Sequence, residues 1–144
     1  MLSEYIDAMQ EQTAEVEEDL QELSKIILDN PLSKYEYRAA ERLLQIYVGS
    51  CIGIAKHCIK KAGKNVPNEA YASFEKINDL NLFTIGETEN WHKIVGLRNV
   101  LVHDYLNIDR RIIDSVLINK HYQQLSEFIK NGLEYLGKEE SKPG

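Results

Sequence analysis

The sequence predicts an all-α protein that forms an antiparallel bundle of about five helices. Apolar residues recur at spacings of three, four and seven, and no segment alternates with a period of two for long enough to form a strand. Only three prolines and eight glycines occur in 144 residues. Short loops favour antiparallel neighbours around one core. We expect a single domain over 3–136 and a flexible tail over 137–144.

Two long helices are predicted in the first half of the chain. The first follows one apolar stripe and ends at Asn30-Pro31, because the residue before proline avoids the α region. Ser33-x-x-Glu36 is typical of a capping box and predicts the start of the second helix, which Gly63 should end. This second helix contains two thiols, which should be buried and unbridged, because seven helical residues separate them by roughly 10 Å; they are Cys51 and Cys58.

Three further helices are predicted in the second half. A short one covers 68–80. Thr84-x-x-Glu87 is typical of a second capping box and predicts the start of a helix that contains the LRNVLVH run. Asn107 or Asp109 can cap a last long helix, whose apolar residues again repeat at helical spacing.

Charge and composition narrow the functional classes. No apolar run approaches the roughly 20 residues of a membrane span, and the acidic N-terminus is unlike a secretory signal, so we expect a cytoplasmic protein without membrane contact. The net charge of −6 alone argues against nucleic-acid binding. The segment 51–64, however, has four lysines and no acid, which form either a nucleic-acid-binding strip or a solvated helix end: Lys56, Lys60, Lys61 and Lys64.

The common cofactor and enzyme signatures are absent from the sequence. Only Glu89-x-x-His92 matches the Glu-x-x-His of a di-iron bundle, and no Cys/His set has zinc spacing, so we expect no metal site. Neither glycine-rich phosphate-binding motif occurs, and no serine lies in a G-x-S-x-G context. The sequence therefore predicts no cofactor.

The segment GLRNVLVHDY, residues 96–105, combines an apolar helical turn with strongly polar neighbours. Asn99 and His103 are four residues apart and lie above one another, and Arg98 and Tyr105 share the adjacent face. In a continuous helix Arg98 and His103 point about 140° apart, so their convergence needs a helix end at the motif or a second subunit. The alternative is a solvated arginine and a histidine at the edge of the core.

Arg98-Asn99-Val100-Leu101-Val102-His103 resembles the signature of the HEPN superfamily, an Arg followed after four to six residues by His. With Tyr105 it takes the R-x4-H-x-Y form and resembles the HepT toxins, the HEPN halves of two-gene toxin–antitoxin pairs. Chain length, helical layout and the position of the motif before the terminal helix agree with that family over about 3–136. The resemblance implies a HEPN-like bundle that forms a homodimer, with the two motifs facing across the subunit interface.

The resemblance also implies a function. The family consists of metal-independent endoribonucleases that act on transfer RNA or mRNA. Arg98 would bind phosphate, Asn99 would assist, and His103 would act as base or acid. Tyr105 would accept AMP from an MntA-like minimal nucleotidyltransferase, the cognate antitoxin, and this transfer would silence the nuclease. The four lysines would then be RNA-binding candidates.

Two other interpretations remain open. Some HEPN domains bind a nucleotidyltransferase or a nucleotide without cleaving RNA, so the chain could be a non-catalytic binding module. It could also be a purely structural helical dimer that contains the motif by chance.

Overall fold

The computed structural model describes residues 2–103 and 105–138, and within these ranges it contains six α-helices, one 3-10 turn and no strand. In chain order these are α1 (Leu2–Asp29), α2 (Lys34–Lys61), α3 (Ala70–Asp79), α4 (Thr88–His103), the 3-10 turn (Tyr105–Asn107), α5 (Arg110–Ile118) and α6 (Gln123–Gly137). The all-α prediction is confirmed. The domain over 3–136 and the tail over 137–144 stay predictions, since residues 139–144 lie outside the described part.

The predicted boundaries between α1 and α2 are confirmed. The Ser33 hydroxyl accepts a hydrogen bond from the Glu36 backbone N–H at 3.1 Å, and the Glu36 carboxylate accepts one from the Ser33 N–H at 2.8 Å. These two bonds satisfy amide groups that the first helical turn leaves without partners. At the other end of α2, Gly63 adopts a φ of +75°, the left-handed conformation that closes many helices.

The second predicted capping box is wrong. α4 begins at Thr88, and Gly86 in the preceding loop has a φ of +82°, which no helix accommodates. The carbonyl groups of this loop instead accept side-chain hydrogen bonds. Trp91 Nε1 donates to the Ile85 oxygen at 2.7 Å, and Asn131 Nδ2 donates to the Thr84 oxygen at 3.2 Å. Tertiary contacts therefore hold the loop that the sequence pattern assigned to a helix.

The sequence predicts about five helices and the described residues form six, because the expected last long helix is two helices. Asp109 caps α5, since its carboxylate accepts the Arg111 N–H at 2.9 Å. The helix then ends at a left-handed residue, Lys120, with a φ of +51°. The His121 N–H donates to the Val116 oxygen at 3.0 Å, which is the hydrogen bond of a Schellman ending. The chain thereby turns, so that α5 packs on α1 while α6 packs on α1 and α2.

One hydrophobic core holds the helices together, and α2 lies at its centre, in contact with α1, α3, α4 and α6. Trp91 is fully buried and anchors α4 in this core. Its ring stacks on Phe74 with 4.1 Å between centroids and meets Phe128 edge-on at 4.9 Å. Trp91 thus fixes the first half of the helix that also contains the R-x4-H motif. None of the described helices has the length and apolarity that a membrane crossing requires.

Both cysteines are buried free thiols, as predicted. Burial raises the pKa of both, that of Cys58 to about 12. We expect Cys51 and Cys58 to react with a thiol reagent at pH 8 only when the chain is unfolded, which a comparison of native and urea-treated protein measures. Because folding raises the pKa of Cys58, burial of its protonated thiol stabilises the folded chain fully below about pH 8.5, the ordinary thiol pKa. This stabilisation is lost as the pH rises toward 12. Rapid labelling of the native protein by the thiol reagent would contradict the prediction that both cysteines are protected by burial.

Candidate functional site

α4 carries three of the predicted site residues on one uninterrupted helix. Arg98 and Asn99 lie in its last turns, and His103 is its final residue. The backbone between Arg98 and His103 is helical throughout, so the two side chains leave the helix about 140° apart. The helix end lies at His103 and does not turn the arginine toward the histidine. Within one chain the two groups therefore point in different directions.

A surface pocket of about 600 Å³ lies between α2, α3 and α4. Arg98 and Asn99 contribute to its wall from α4, and Lys56 contributes from α2. Two predicted catalytic residues and one predicted RNA-binding lysine are thus brought together. His103 does not line this pocket; it is exposed at the end of α4.

The Arg98 guanidinium has a buried donor without an acceptor in the described part of the chain. Arg98 is partly buried, and its Nε atom is shielded from solvent without a hydrogen-bond partner among the described residues. A buried N–H group that lacks an acceptor costs roughly 1–3 kcal/mol. An oxyanion in the pocket would offer the Arg98 guanidinium a charge of opposite sign.

Tyr105 begins the 3-10 turn, two residues after His103. Its side chain lies outside the described part of the structure, and so does Asp104. Acceptance of AMP by Tyr105 therefore stays a prediction that rests on the resemblance to the HepT toxins.

The four lysines of the basic segment lie in different environments. Lys56 lines the pocket, whereas Lys60 and Lys64 are exposed. The Lys61 ammonium group donates to the backbone oxygens of Tyr135 at 2.6 Å and Leu136 at 3.3 Å. These carbonyls belong to the last turn of α6, where a cation also complements the helix dipole. Lys61 thus has a structural contact that accounts for it without a nucleic acid.

The contact of Lys61 with α6 predicts that substitutions of Lys61 and Lys64 differ in their effect on stability. Lys61→Met is expected to lower the free energy of unfolding by about 1 kcal/mol, because the charged hydrogen bonds to α6 are lost while the apolar stem is kept. Lys64→Met, at an exposed position, is the matched control and should change stability little. Urea titrations followed by circular dichroism measure both values. Equal midpoints for the two variants would contradict the structural role of Lys61.

Sequence reasoning missed two aromatic residues of the pocket, Tyr71 and His92. Their rings meet edge-on with 4.8 Å between centroids, and His92 is exposed. The signal available in the sequence was the spacing of His92 and Asn99, which are seven residues apart and therefore share a face of α4. In residues 2–103 and 105–138, no three His, Cys, Asp or Glu side chains come together in a way that could hold a metal ion.

Comparison with known proteins identifies relatives by sequence. The model of the family described as ribonuclease HepT-like matches residues 2–131. The chain is 34% identical over 86 residues to a Shewanella oneidensis protein named mRNA nuclease HepT, a match covering 60% of this chain and 64% of that one. It is 35% identical over 94 residues to an Aphanizomenon flos-aquae protein named tRNA nuclease HepT, covering 62% of each. Both matches span a little less than two thirds of these relatives.

The solved structures that share the fold include the following two. One is a crystal structure of a toxin–antitoxin with AMP-PNP, with a TM-score of 0.72 at 24% identity, covering 88% of this chain and 98% of that one. The other is the tri-AMPylated HEPN toxin of Shewanella oneidensis in complex with MNT antitoxin, with a TM-score of 0.71 at 25% identity, covering 87% and 96%. Because the family model matches nearly the whole length, this chain belongs to the HepT-like ribonuclease family, as its R-x4-H-x-Y motif predicts.

Proposed function

We propose that this chain is the toxin of a HEPN/minimal nucleotidyltransferase pair, a metal-independent endoribonuclease that cleaves RNA at a site shared by two subunits. The observation that carries the proposal is the arrangement of α4. Arg98 and Asn99 line a pocket together with Lys56, and His103 is exposed at the end of the same helix. The names of the two sequence relatives, an mRNA nuclease and a tRNA nuclease, support the same activity.

The proposed reaction needs no group beyond the side chains of the chain itself and solvent water. The 2′-oxygen of a ribose attacks the adjacent phosphorus, the bond to the 5′-oxygen breaks, and a 2′,3′-cyclic phosphate and a 5′-hydroxyl result. One proton leaves the 2′-hydroxyl and one joins the leaving 5′-oxygen; His103 carries out one of these transfers, as base or as acid, and solvent water carries out the other. Arg98 offers a permanent charge and a planar fork to the phosphate oxygens, and Asn99 offers an amide hydrogen bond.

A two-fold symmetric dimer supplies the convergence that one chain lacks. In an isologous interface, each contact from one subunit to its partner is repeated in reverse. Two α4 helices facing each other bring the arginine of one subunit toward the histidine of the other. The 140° between Arg98 and His103 on a single helix is then compatible with one scissile phosphate between them.

The partner that we propose is a minimal nucleotidyltransferase that acts as the antitoxin. It would transfer AMP from ATP to the phenolic oxygen of Tyr105, with release of pyrophosphate and of the phenolic proton. The product carries one negative charge and the bulk of a nucleoside two residues from His103. Both oppose the approach of substrate phosphate, so cleavage stops without a conformational change. The AMPylated state of the Shewanella oneidensis relative in complex with its MNT antitoxin supports this partner.

The test uses the full chain purified without its partner. Transfer RNA and a single-stranded RNA should be cut in the presence of EDTA and leave a 2′,3′-cyclic phosphate, whereas DNA of the same sequence should stay intact, because it lacks the 2′-hydroxyl. Cleavage that EDTA abolishes and magnesium restores would overturn the metal-independent mechanism. Intact RNA over a broad panel, together with binding of a nucleotidyltransferase, would favour the non-catalytic binding module.

A further inference from the structure

We propose that the pocket between α2, α3 and α4 binds one nucleotide of single-stranded RNA next to the scissile phosphate. This inference rests on the proposed nuclease function and extends it to residues that the cleavage chemistry does not use. These are Lys56, Tyr71 and His92, from three different helices. The reacting groups would cut the chain, while this pocket would hold the nucleotide beside the cut.

The size and the wall of the pocket fit a nucleotide. Its volume of about 600 Å³ lies within the range of small-molecule sites, roughly 300–1,000 Å³. His92, Gly96 and Asn99 follow one another at spacings of four and three, so they form one stripe along α4. A Cβ atom built on Gly96 meets no atom within 4 Å, so the glycine leaves open space at the middle of this stripe.

The two aromatic rings provide a surface for a base. His92 is exposed and Tyr71 is partly buried, and their rings are nearly perpendicular, at 88°. Edge-on contact of this kind holds both rings in place. Unstacked RNA bases bind to aromatic side chains, and such stacking tolerates any base, because every base has a π-face.

Charged and amide groups surround these rings. Lys56 and Arg98 supply two cations for a phosphate group. Asn68 and Asn99 add amide groups that can donate to and accept from a base edge. Among the described residues of the lining Glu69 is the one carboxylate, and it can accept from an N–H or O–H group of a nucleoside. Cations, amides and aromatic rings together match a nucleotide better than they match an apolar ligand.

The experiment measures binding without cleavage. The probe is a fluorescent single-stranded 2′-O-methyl RNA of about twelve nucleotides, which cannot react because its 2′-oxygens are blocked. Gly96→Leu fills the pocket from a helical position with open space around it, and we expect it to weaken binding at least tenfold. Gly49→Leu is the matched control, because Gly49 is also helical and its Cβ also meets no atom within 4 Å. It should bind the probe as the unchanged chain does.

Two further variants test the parts of the pocket separately. His92→Ala removes one of the two rings and should weaken binding on the order of tenfold. Lys56→Gln removes one phosphate contact and should reduce the slope of log affinity against log salt by about 0.7, the value for one phosphate of a single strand. A slope that stays the same would overturn the assignment of Lys56.

The outcomes separate this inference from the proposed nuclease activity. Probe binding by the unchanged chain that Gly96→Leu abolishes supports the subsite whether or not natural RNA is cut. Probe binding that is equal in Gly96→Leu, or absent from the unchanged chain, overturns the subsite even if cleavage is observed. The oligomeric mass of Gly96→Leu, measured by light scattering, must equal that of the unchanged chain. A different mass would assign the pocket to contact between subunits and overturn the proposal.

Discussion

Alanine at either Arg98 or His103 is expected to lower the rate of RNA cleavage by at least about a hundredfold. Proton transfer by a positioned side chain contributes roughly 10²–10⁴ in rate, and loss of one charge-stabilising donor costs roughly 10²–10³. The measurement is single-turnover cleavage of a labelled RNA by the purified chain. Lys93→Ala is the control, because Lys93 is an exposed cation on the same helix that does not line the pocket. It should retain full activity.

Mixing the two inactive variants tests whether the site is shared between subunits. In a heterodimer of Arg98→Ala and His103→Ala, one composite site has lost both groups and the other has kept both. Half of the dimers in an equal, randomly exchanged mixture are heterodimers, so about a quarter of the normal activity should return. A mixture as inactive as its components would show that each chain supplies both groups to its own site. The shared-site model would then be wrong.

Trp91→Ala is expected to have the largest effect on stability, a loss of about 4 kcal/mol in the free energy of unfolding. The substitution removes a fully buried ring that packs against Phe74 and Phe128 and leaves a cavity between them. It also removes a hydrogen bond to the Ile85 carbonyl, but Gln124 still donates to that oxygen at 3.3 Å. The carbonyl is therefore not left without a partner.

Trp91→Phe is the matched variant, because it keeps an aromatic ring in the core. Its cost should be clearly smaller, about 2 kcal/mol. Trp91 is the single tryptophan of the chain, so urea unfolding must be followed by circular dichroism and not by tryptophan fluorescence. A Trp91→Ala midpoint close to that of the unchanged chain would show that the core does not depend on this ring.

The sequence predicted those helix ends that depend on local chemistry. The capping box at Ser33 and the break before Pro31 follow from residues next to one another in the chain. The sequence failed at Lys120, because lysine rarely takes a left-handed φ and no glycine or proline occurs in residues 110–131 to indicate a helix end. It failed at Thr84 because tertiary hydrogen bonds to the loop decided the outcome. Local patterns do not contain such contacts.

The candidate site was likewise predictable from the sequence only in part. That Arg98, Asn99 and His103 share one helix, and the angle between them, could be read from sequence spacing. The pocket could not, because Lys56 and Tyr71 reach α4 only through the packing of three helices. RNA binding by Lys61 stays a prediction from its charge. The sequence did not show that α6 brings backbone carbonyls to its ammonium group.

The central position of α2 determines which length changes the family can tolerate. An insertion or deletion of one residue inside α2 rotates everything beyond it by about 100°. Lys56 would turn away from α4, and the buried face that contacts four other helices would be disrupted at the same time. Length variation among homologues of this chain should therefore concentrate in the connections between helices, such as 119–122, and should spare α2.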